Sequence, residues 1–431
     1  MIQQEKTVTR GLTRETILSM KPKTPNINIV DSLMGTGKSS FAIQLLIDAD
    51  IEMKFIFITP FRTEIKRVLD AVKGKTERKY AEPENFGPGR DKLQSLKNLI
   101  NAEMNIVSTH ALFRYADAEL IELLRVSNYT LIIDEAMDVV DHVPILEGDL
   151  QMLKTVNLVN VDDATGLVKW NEDKGFKSNS FSHIKALSEH DSLYLLGNTM
   201  MFWTFPKLAF TAFKEVFVLT YLFNAHQQKH YFDMFNLEYK YKSVEMQGDS
   251  YVLVDYDDRT RIDKQELRDL INIYDGRLND IGDDNYALSK AWYQRTDNNS
   301  LVKRLQKNTY SYFRNHAKTG VKMNMWTCFK ADISRMEGTG YKDGYVVVNA
   351  RATNDFEEKE SLAYLVNMFI NPFEVQFFRK HGVVIDEDAF SLSLLLQWIW
   401  RSRIRNGEPI NLYIPSKRMR NLLIDYLNSD L

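Results

Sequence analysis

One stretch near the beginning of the chain constrains the fold more than any other: residues 32–39, S-L-M-G-T-G-K-S. It follows an apolar run at residues 27–30 and precedes a helical pattern at residues 41–46. That order of strand, loop and helix is the one that a phosphate-binding loop requires. Glycines let the backbone curl so that its N–H groups surround a polyphosphate, and the following helix adds the positive end of its dipole. The stretch therefore predicts a nucleoside triphosphate site.

Two side chains of this loop have expected roles in phosphate chemistry. Lys38 is expected to reach the β- and γ-phosphates, and the Ser39 hydroxyl is expected to bind Mg²⁺. The first residue departs from the usual pattern, because Ser32 stands where a glycine is common. The predicted nucleotide-binding residues are Gly35, Thr36, Gly37, Lys38, Ser39 and Ser40.

Length and cysteine content limit the class of protein. A chain of 431 residues fits two or three ordinary domains better than one. The single cysteine, Cys328, excludes an intrachain disulfide and a zinc cluster built on cysteines. It predicts a reducing, cytoplasmic environment. No apolar run is long enough to cross a membrane, and residues 1–10 lack the apolar segment of a signal peptide, so no membrane partner is expected.

The overall charge is close to balanced. The net charge of −3 means that the chain as a whole is not a polycation. Any contact with nucleic acid must therefore come from a local cleft and not from the field of the whole molecule.

Short apolar runs alternate with helical patterns in the first half of the chain. The runs at residues 54–59, 105–109, 129–133 and 216–221 predict buried parallel strands. Strands that alternate with helices favour a doubly wound parallel sheet, in which ligands bind beyond the carboxyl ends of the strands. Residues 145–190 lack this alternation and predict an insertion of short strands and a polar loop.

The alternating pattern restarts past about residue 236. Two α/β lobes in series, residues 1–235 and 236–431, account for this restart. Strands are expected at residues 324–329, 345–349 and 410–414, and helices at 301–316, 357–369 and 389–405 and from 416 onward.

An acidic pair, Asp134 and Glu135, follows the apolar run that ends at residue 133. An aspartate at a strand end can hold Mg²⁺, and an adjacent glutamate can orient and deprotonate an attacking water. By itself such a pair is also an ordinary solvated strand end. Together with Lys38 it indicates a site that hydrolyses a nucleoside triphosphate.

Three segments carry a resemblance to a known family: the G-T-G-K-S loop, the D-E-A-M sequence at 134–137 and the Q-W-I-W-R-S-R-I-R sequence at 397–405. Together they resemble superfamily two helicases of the DEAD/DEAH type over roughly residues 25–425. The chain is especially similar to phage replication helicases and to the helicase part of the herpesvirus origin-binding protein. The resemblance implies two RecA-like doubly wound lobes of the P-loop NTPase class, with ATP and Mg²⁺ as cofactors. In helicases the short loop without its first glycine is common, which would account for Ser32.

The resemblance also implies contacts with nucleic acid. Two of the matching segments follow the second and third strands of the first lobe, and one lies in the second lobe. The implied contact residues are Thr59, Pro60, Arg62, Thr109, His110, Arg351 and Thr353. Residues 219–221, L-T-Y, occupy the place of the family's Ser-Ala-Thr coupling motif but depart from it.

The last motif of the family supplies an arginine to the γ-phosphate, and three arginines compete for that role here. A spacing of four places Gln397, Arg401 and Arg405 on one helical face, whereas Arg403 points elsewhere. An arginine from the second lobe stabilises transition-state charge only when the lobes close, which ties hydrolysis to closure. Glu135, Gln397, Arg401 and Arg405 are the predicted catalytic residues, with Arg401 preferred and Arg403 left open.

These expectations combine into an ATP-dependent helicase or translocase. The resemblance implies single-stranded or forked DNA as its partner, in phage replication, recombination or repair within a host cell's cytoplasm. An RNA helicase shares the same motor, and a nucleotide-gated scaffold that hydrolyses ATP slowly is an alternative of a different class. A replication protein would be needed for loading, because no origin-reading domain is recognisable. Gln3 and Gln4 lack the context of the family's adenine-reading motif, so base recognition is left open.

Overall fold

The computed structural model describes residues 25–85, 91–172, 181–197, 199–256, 264–349 and 355–429. The strands are β1 (Asn26–Asp31), β2 (Lys54–Thr59), β3 (Tyr80–Ala81), β4 (Asn105–Thr109), β5 (Tyr129–Asp134), β6 (Val140–Val143), β7 (Val159–Val161), β8 (Val168–Trp170), β9 (Leu193–Leu196), β10 (Met200–Thr204), β11 (Glu215–Thr220), β12 (Tyr239–Gln247), β13 (Ser250–Asp255), β14 (Ile271–Ile273), β15 (Asn324–Thr327), β16 (Ser361–Tyr364) and β17 (Ile410–Tyr413). The helices are α1 (Lys38–Asp48), α2 (Arg62–Val72), α3 (Lys92–Asn101), α4 (His110–Phe113), α5 (Ala118–Ser127), α6 (Glu147–Thr155), α7 (Ser182–Ser188), α8 (Lys207–Thr211), α9 (Gln227–Met234), α10 (Lys264–Leu270), α11 (Lys290–Gln294), α12 (Asn299–Ser311), α13 (Ile333–Met336), α14 (Pro372–Lys380), α15 (Glu387–Ile399) and α16 (Lys417–Asn428). None of the helices within these ranges is long and apolar enough to cross a membrane.

The first half of the chain forms an eight-stranded sheet in the order β13-β12-β1-β11-β5-β2-β4-β3. Its neighbouring strands run parallel except for the antiparallel pair β12 and β13. The central strands are buried along nearly their whole length, as expected for parallel strands with helices on both faces. The parallel sheet predicted from the apolar runs is confirmed.

The register of the central strands brings three strand ends to one edge of the sheet. Asp31 at the end of β1 pairs with Thr220 at the end of β11, and Leu219 of β11 pairs with Asp134 at the end of β5. The loop after β1 and the acidic residues after β5 therefore lie beside each other, with only β11 between them.

The first sheet continues past the predicted boundary between residues 235 and 236. β12 pairs with β1 and β13 pairs with β12, so this sheet extends to Asp255. The expected break placed these two strands in the second lobe because their charged and aromatic sequence does not resemble the buried strands before it. Both strands are largely half-buried, since they form the outer edge of the sheet.

The predicted insertion of short strands is also present. Between β5 and β11 the chain forms the antiparallel sheet β6-β10-β9 and the hairpin of β7 and β8. This insertion packs into the same hydrophobic core as one face of the eight-stranded sheet.

The second half contains a four-stranded parallel sheet in the order β14-β17-β16-β15. Two expectations about residues 345–369 of this half are wrong. Residues 345–349 form no strand apart from a single bridge between Tyr345 and Trp326, and the expected helix at 357–369 contains strand β16. A short apolar run is consistent with either a buried helix or a buried strand, because it is too short to show a clear period. Here residues 361–364 form a strand because they lie at the buried centre of the sheet, between β17 and β15.

Helix α14 belongs to the second half by sequence but packs against the first. The ring of Phe377 stacks on that of Phe202 in the inserted sheet, with centroids 4.8 Å apart. The amide of Gln227 on α9 donates to the Glu374 carboxylate at 2.9 Å. The two halves are therefore joined by an aromatic and polar contact as well as by the chain itself.

Candidate nucleotide-binding site

The loop after β1 has the backbone conformation that its glycines predict. Gly35 and Gly37 have φ angles of 89° and 96°, a region that glycine enters without strain. Helix α1 begins directly afterwards at Lys38, and its first turn lies at the end of the loop. A loop of this kind presents backbone N–H groups and a helix N-terminus to an anion.

Ser32 has a structural role that explains why a glycine is not needed there. Its φ is not positive, its N–H donates to the Thr220 carbonyl at 3.1 Å, and its hydroxyl accepts from Val244 N–H at 3.2 Å. The serine therefore ties the beginning of the loop to β11 on one side and to β12 on the other.

The Lys38 ammonium lies folded into the loop. It donates to the carbonyl oxygens of Ser32 and Leu33 at 2.5 and 2.7 Å. Burial lowers its pKa from 10.5 to about 8, although the nearby carboxylates of Asp31, Asp134 and Glu135 oppose that shift. A phosphate would offer this ammonium a full negative charge in place of two carbonyl dipoles.

Ser39 and Asp134, the two residues expected to bind Mg²⁺, contact each other. The Ser39 hydroxyl donates to the Asp134 carboxylate at 3.2 Å. Burial, assisted by the charge of Glu135, raises the pKa of Asp134 from 3.8 to about 7. A divalent cation would offset the cost of burying the charged Asp134 carboxylate. Hydroxyl and carboxylate oxygens are also ligands that Mg²⁺ prefers. The described residues contain no group of three or more His, Cys, Asp or Glu side chains that could hold a metal. These two residues therefore fit a cation that takes its other ligands from phosphate and water.

Glu135 leaves the sheet through an unusual backbone conformation. Its φ is 65°, which is uncommon for a residue other than glycine, and its N–H donates to the Leu219 carbonyl at 2.9 Å. Its carboxylate is half-buried and close enough to raise the pKa of both Lys38 and Asp134. The geometry places a carboxylate beside Lys38 and beside Ser39 and Asp134, the two residues expected to hold Mg²⁺.

Asp31 belongs to the same edge and was not among the predicted site residues. Its two carboxylate oxygens accept the N–H groups of Leu222 and Phe223, each at 2.9 Å. The signal in the sequence was an acidic residue at the end of a buried strand, directly before the loop. Asp31 thereby holds the segment after β11 against the phosphate-binding loop.

The segment after β11 also contacts the second half of the chain. The hydroxyl of Tyr221 forms a short hydrogen bond with that of Tyr426 on α16. The Thr220 hydroxyl lies 3.2 Å from Nε2 of His226. Residues 219–221 thus connect the acidic strand end, the phosphate-binding loop and helix α16, although they depart from the Ser-Ala-Thr pattern.

The arginine segment does not form the continuous helix that was expected. Helix α15 ends at Ile399, where the Ser402 hydroxyl donates to the Ile399 carbonyl at 2.7 Å and Ser402 is extended. Arg401 therefore lies past the helix end and Arg405 lies in a 3₁₀ turn, so they do not share one helical face with Gln397. The predicted common helical face of Gln397, Arg401 and Arg405 is wrong because the helix ends before Arg401.

The three arginines have different surroundings. Arg403 donates to the Pro409 carbonyl at 2.6 Å and forms an ion pair with Glu360 at 3.0 Å. Arg401 is half-buried and Arg405 is exposed. These contacts give Arg403 a structural role; the choice of Arg401 as the residue that reaches the phosphate stays a prediction.

The phosphate-binding loop and the end of α15 share one hydrophobic cluster. Leu33 and Met34 of the loop pack against the cluster that contains Trp398, Ile399 and Trp400. The loop therefore contacts the hydrophobic core of the second half, and this contact forms a seam between the two sheets.

Comparison with known proteins decides the family. The model of the "YonV middle domain" matches residues 140–203, and that of the "YonV C-terminal Rossmann-like domain" matches residues 265–427. The "SPbeta prophage-derived uncharacterized protein YonV" of Bacillus subtilis (strain 168) is 40% identical over 412 residues, which cover 94% of this chain and 99% of that one. The chain belongs to the YonV family. The YonV middle domain corresponds to the insertion of short strands in this chain. The YonV C-terminal domain corresponds to the four-stranded sheet and its helices.

Solved structures similar to this YonV-family chain include a helicase and a DEAD box protein. The DUF1998 helicase MrfA bound to DNA and AMPPNP matches 94% of the chain at 10% identity with a TM-score of 0.34, and the chain spans only 48% of MrfA. A DEAD box protein from Methanococcus jannaschii matches 94% of the chain and 85% of its own length at 11% identity, with a TM-score of 0.30.

The predicted nucleic-acid contacts of this YonV-family chain have unequal access to solvent. Thr59 and His110 are buried, and the Thr109 hydroxyl caps helix α4 by accepting from Leu112 N–H at 3.2 Å. Pro60 is half-buried, whereas Arg62 is exposed at the beginning of α2. Arg351 and Thr353 lie outside the described residues. Arg62 is thus the described cation of this set that is open to a phosphate.

Proposed function

We propose that this chain is an ATPase stimulated by nucleic acid that acts as a DNA helicase or translocase. The observation that carries the proposal is the 3.2 Å contact between Ser39 and Asp134 beside Lys38. It joins the phosphate-binding loop to the acidic strand end in the arrangement that hydrolysis of a nucleoside triphosphate needs.

The chemistry follows from the residues at the edge of the first sheet. Lys38 would exchange its two carbonyl contacts for the β- and γ-phosphate oxygens. Glu135 would accept a proton from the attacking water. Ser39 and Asp134 would hold Mg²⁺, which would supply positive charge to the phosphates when bound. Arg401 would add positive charge from the second lobe when the seam closes.

Coupling to nucleic acid is supported by the position of the site. The loop packs on the hydrophobic core of the second half, and Tyr221 contacts Tyr426, so a change at the phosphates has a direct route to the second half. Arg62 is exposed just past the carboxyl end of β2 and is available to a nucleic-acid phosphate. Such a local contact is what the small net charge of the chain requires of a nucleic-acid site. The prophage origin of the Bacillus subtilis relative supports a phage setting.

Steady-state ATP hydrolysis by the full chain tests this proposal. Turnover is measured alone and with single-stranded DNA, duplex, forked duplex and RNA, with Lys38→Ala as the blank. We expect single-stranded or forked DNA to raise turnover by at least about tenfold. Stimulation by RNA in preference to DNA would support the RNA-helicase alternative, and absence of hydrolysis under every condition would overturn the proposal.

A nucleotide-gated scaffold is the second candidate, and one observation favours it. Helix α14 fastens the second half to the inserted sheet through Phe377 and Phe202, which limits how far the halves can part. A slow switch needs only a small movement, whereas a motor needs repeated opening. The scaffold predicts slow hydrolysis that no nucleic acid changes.

A further inference from the structure

An aromatic side chain covers the phosphate-binding loop from the outer strand of the first sheet. The ring of Tyr251, on β13, packs so closely on Gly37 that a Cβ atom added to this glycine would lie 2.0 Å from Cε1 of the tyrosine. Tyr251 itself is half-buried, so part of its ring remains open. The loop's last glycine is thus required by a neighbour as well as by its positive φ of 96°.

The position of this tyrosine is held by backbone hydrogen bonds to helix α1. The Gln44 amide donates to the Tyr251 carbonyl at 3.1 Å, and its carbonyl oxygen accepts from the Tyr251 N–H at 2.8 Å. Leu253, two residues further along β13, packs with Tyr251 against the core beneath α1. These two bonds fix the backbone of Tyr251 and therefore the point from which its ring projects over the loop.

The order of strands places Tyr251 at the end of the loop opposite to the acidic residues. β5, with Asp134 and Glu135, lies on one side of β1 beyond β11, and β13 lies on the other side beyond β12. A triphosphate whose γ-phosphate meets Lys38, Asp134 and Glu135 extends away from β5. Its nucleoside end therefore leaves the loop on the side of β12 and β13.

We infer that Tyr251 is the platform on which the base of the bound nucleotide stacks. This inference rests on the proposed function, because it requires that the loop binds a nucleoside triphosphate. An aromatic face stacks on any base without reading its hydrogen-bonding edge, and stacks most strongly on the larger purines. The site would consequently prefer purine to pyrimidine nucleotides and discriminate weakly between adenine and guanine.

Calorimetric titration of the full chain with two ligands, Mg·ADP and Mg·tripolyphosphate, tests the platform. Tripolyphosphate fills the loop but has no base. We expect Tyr251→Leu, which keeps apolar packing, to weaken ADP binding by about tenfold and to leave tripolyphosphate binding within about twofold. Tyr251→Phe should retain both affinities, because stacking needs the ring and not the hydroxyl.

Leu253→Ala is the matched control on the same strand. It loosens the strand without removing the ring, so the ratio of the two dissociation constants should stay unchanged. If Tyr251→Leu also leaves this ratio unchanged, the platform is wrong although nucleotide binding stands. If the wild type binds neither ligand, the nucleotide site itself is wrong. Should Tyr251→Leu not fold, Tyr251→Trp gives a second readout, with fluorescence that ADP changes and tripolyphosphate does not.

Discussion

The ends of the strands carry different kinds of side chain in the two sheets of this protein. At the carboxyl edge of the first sheet lie Lys38 and Asp134, whose pKa values burial moves toward neutrality, to about 8 and about 7. In the four-stranded sheet, by contrast, tyrosine hydroxyls meet backbone carbonyls near the ends of β16 and β17. The hydroxyls of Tyr293 and Tyr413 donate to the carbonyls of Leu365 and Leu278, each at 2.7 Å.

This difference shows what distinguishes a ligand edge from a structural one. Tyrosine fills space with a large apolar ring, and the hydroxyls of Tyr293 and Tyr413 each satisfy a carbonyl, so these two contacts need no ligand. A buried carboxylate beside a buried ammonium differs from such a contact, because each charged group loses hydration without full compensation. We therefore expect substitutions at the first edge to affect nucleotide chemistry and those at the second to affect stability.

The largest effects are expected at the first edge. Lys38→Ala should abolish both nucleotide binding and turnover, whereas Glu135→Gln should bind ATP and lose turnover on the order of 10³-fold, because only the proton acceptor is removed. Binding by calorimetry and hydrolysis by phosphate release separate the two results. Lys185→Ala, in the insertion and paired with Glu172, is the control and should change neither. Rapid hydrolysis by Glu135→Gln would contradict its assignment as the base.

The arginines of residues 401–405 provide the next comparison. Arg401→Ala should spare ATP binding and slow hydrolysis by about 100-fold or more, because transition-state charge loses its partner from the second half. Arg403→Ala should mainly lower thermal stability, since it removes the ion pair with Glu360. Single-turnover hydrolysis and thermal melts of both variants distinguish these roles. A greater loss of hydrolysis in Arg403→Ala, or in Arg405→Ala, would overturn the choice of Arg401.

The shifted pKa values predict how Mg·ADP affinity depends on pH. The raised pKa of Asp134, about 7, means that its carboxyl is protonated at lower pH and must lose a proton to bind Mg²⁺. The lowered pKa of Lys38, about 8, means that its charge is lost at higher pH. Affinity should therefore be greatest between pH 7 and 8 and fall on both sides.

Titrations at several pH values, with Mg²⁺ and with a chelator, check this profile. Without the metal, the decline on the acid side should disappear. A proton on Asp134 then has no cation to displace, and the neutral carboxyl repels phosphate less than the carboxylate does. A flat profile between pH 6 and 8 in the presence of Mg²⁺ would show that Asp134 does not hold the metal.

The smallest effect is expected at the second edge. Tyr413→Phe removes the hydroxyl that donates to the Leu278 carbonyl and should lower the free energy of unfolding by about 1 kcal/mol, with nucleotide affinity unchanged. Denaturant unfolding and calorimetry measure the two quantities. Tyr115→Phe, at a tyrosine that is 72% exposed, is the matched control and should leave both unchanged. A change in nucleotide affinity in Tyr413→Phe would remove the contrast between the edges.

The first sheet and the phosphate-binding loop could be predicted because their signals are local. Gly35 and Gly37 supply positive φ angles wherever they occur, and strands buried on both faces are continuous apolar runs that a single segment reveals. The acidic pair after β5 was recognisable because it ends such a run. None of these features depends on which distant residue is nearby.

What the sequence alone determined is therefore the parallel sheet of the first half, the loop at its edge and the residue types available for phosphate chemistry. Only the tertiary structure decided that α15 stops at Ile399, that residues 361–364 form a strand and that Tyr251 covers Gly37. Each of these outcomes depends on partners far away in the chain. Packing and hydrogen bonds between distant segments override local preferences, and no local pattern records them.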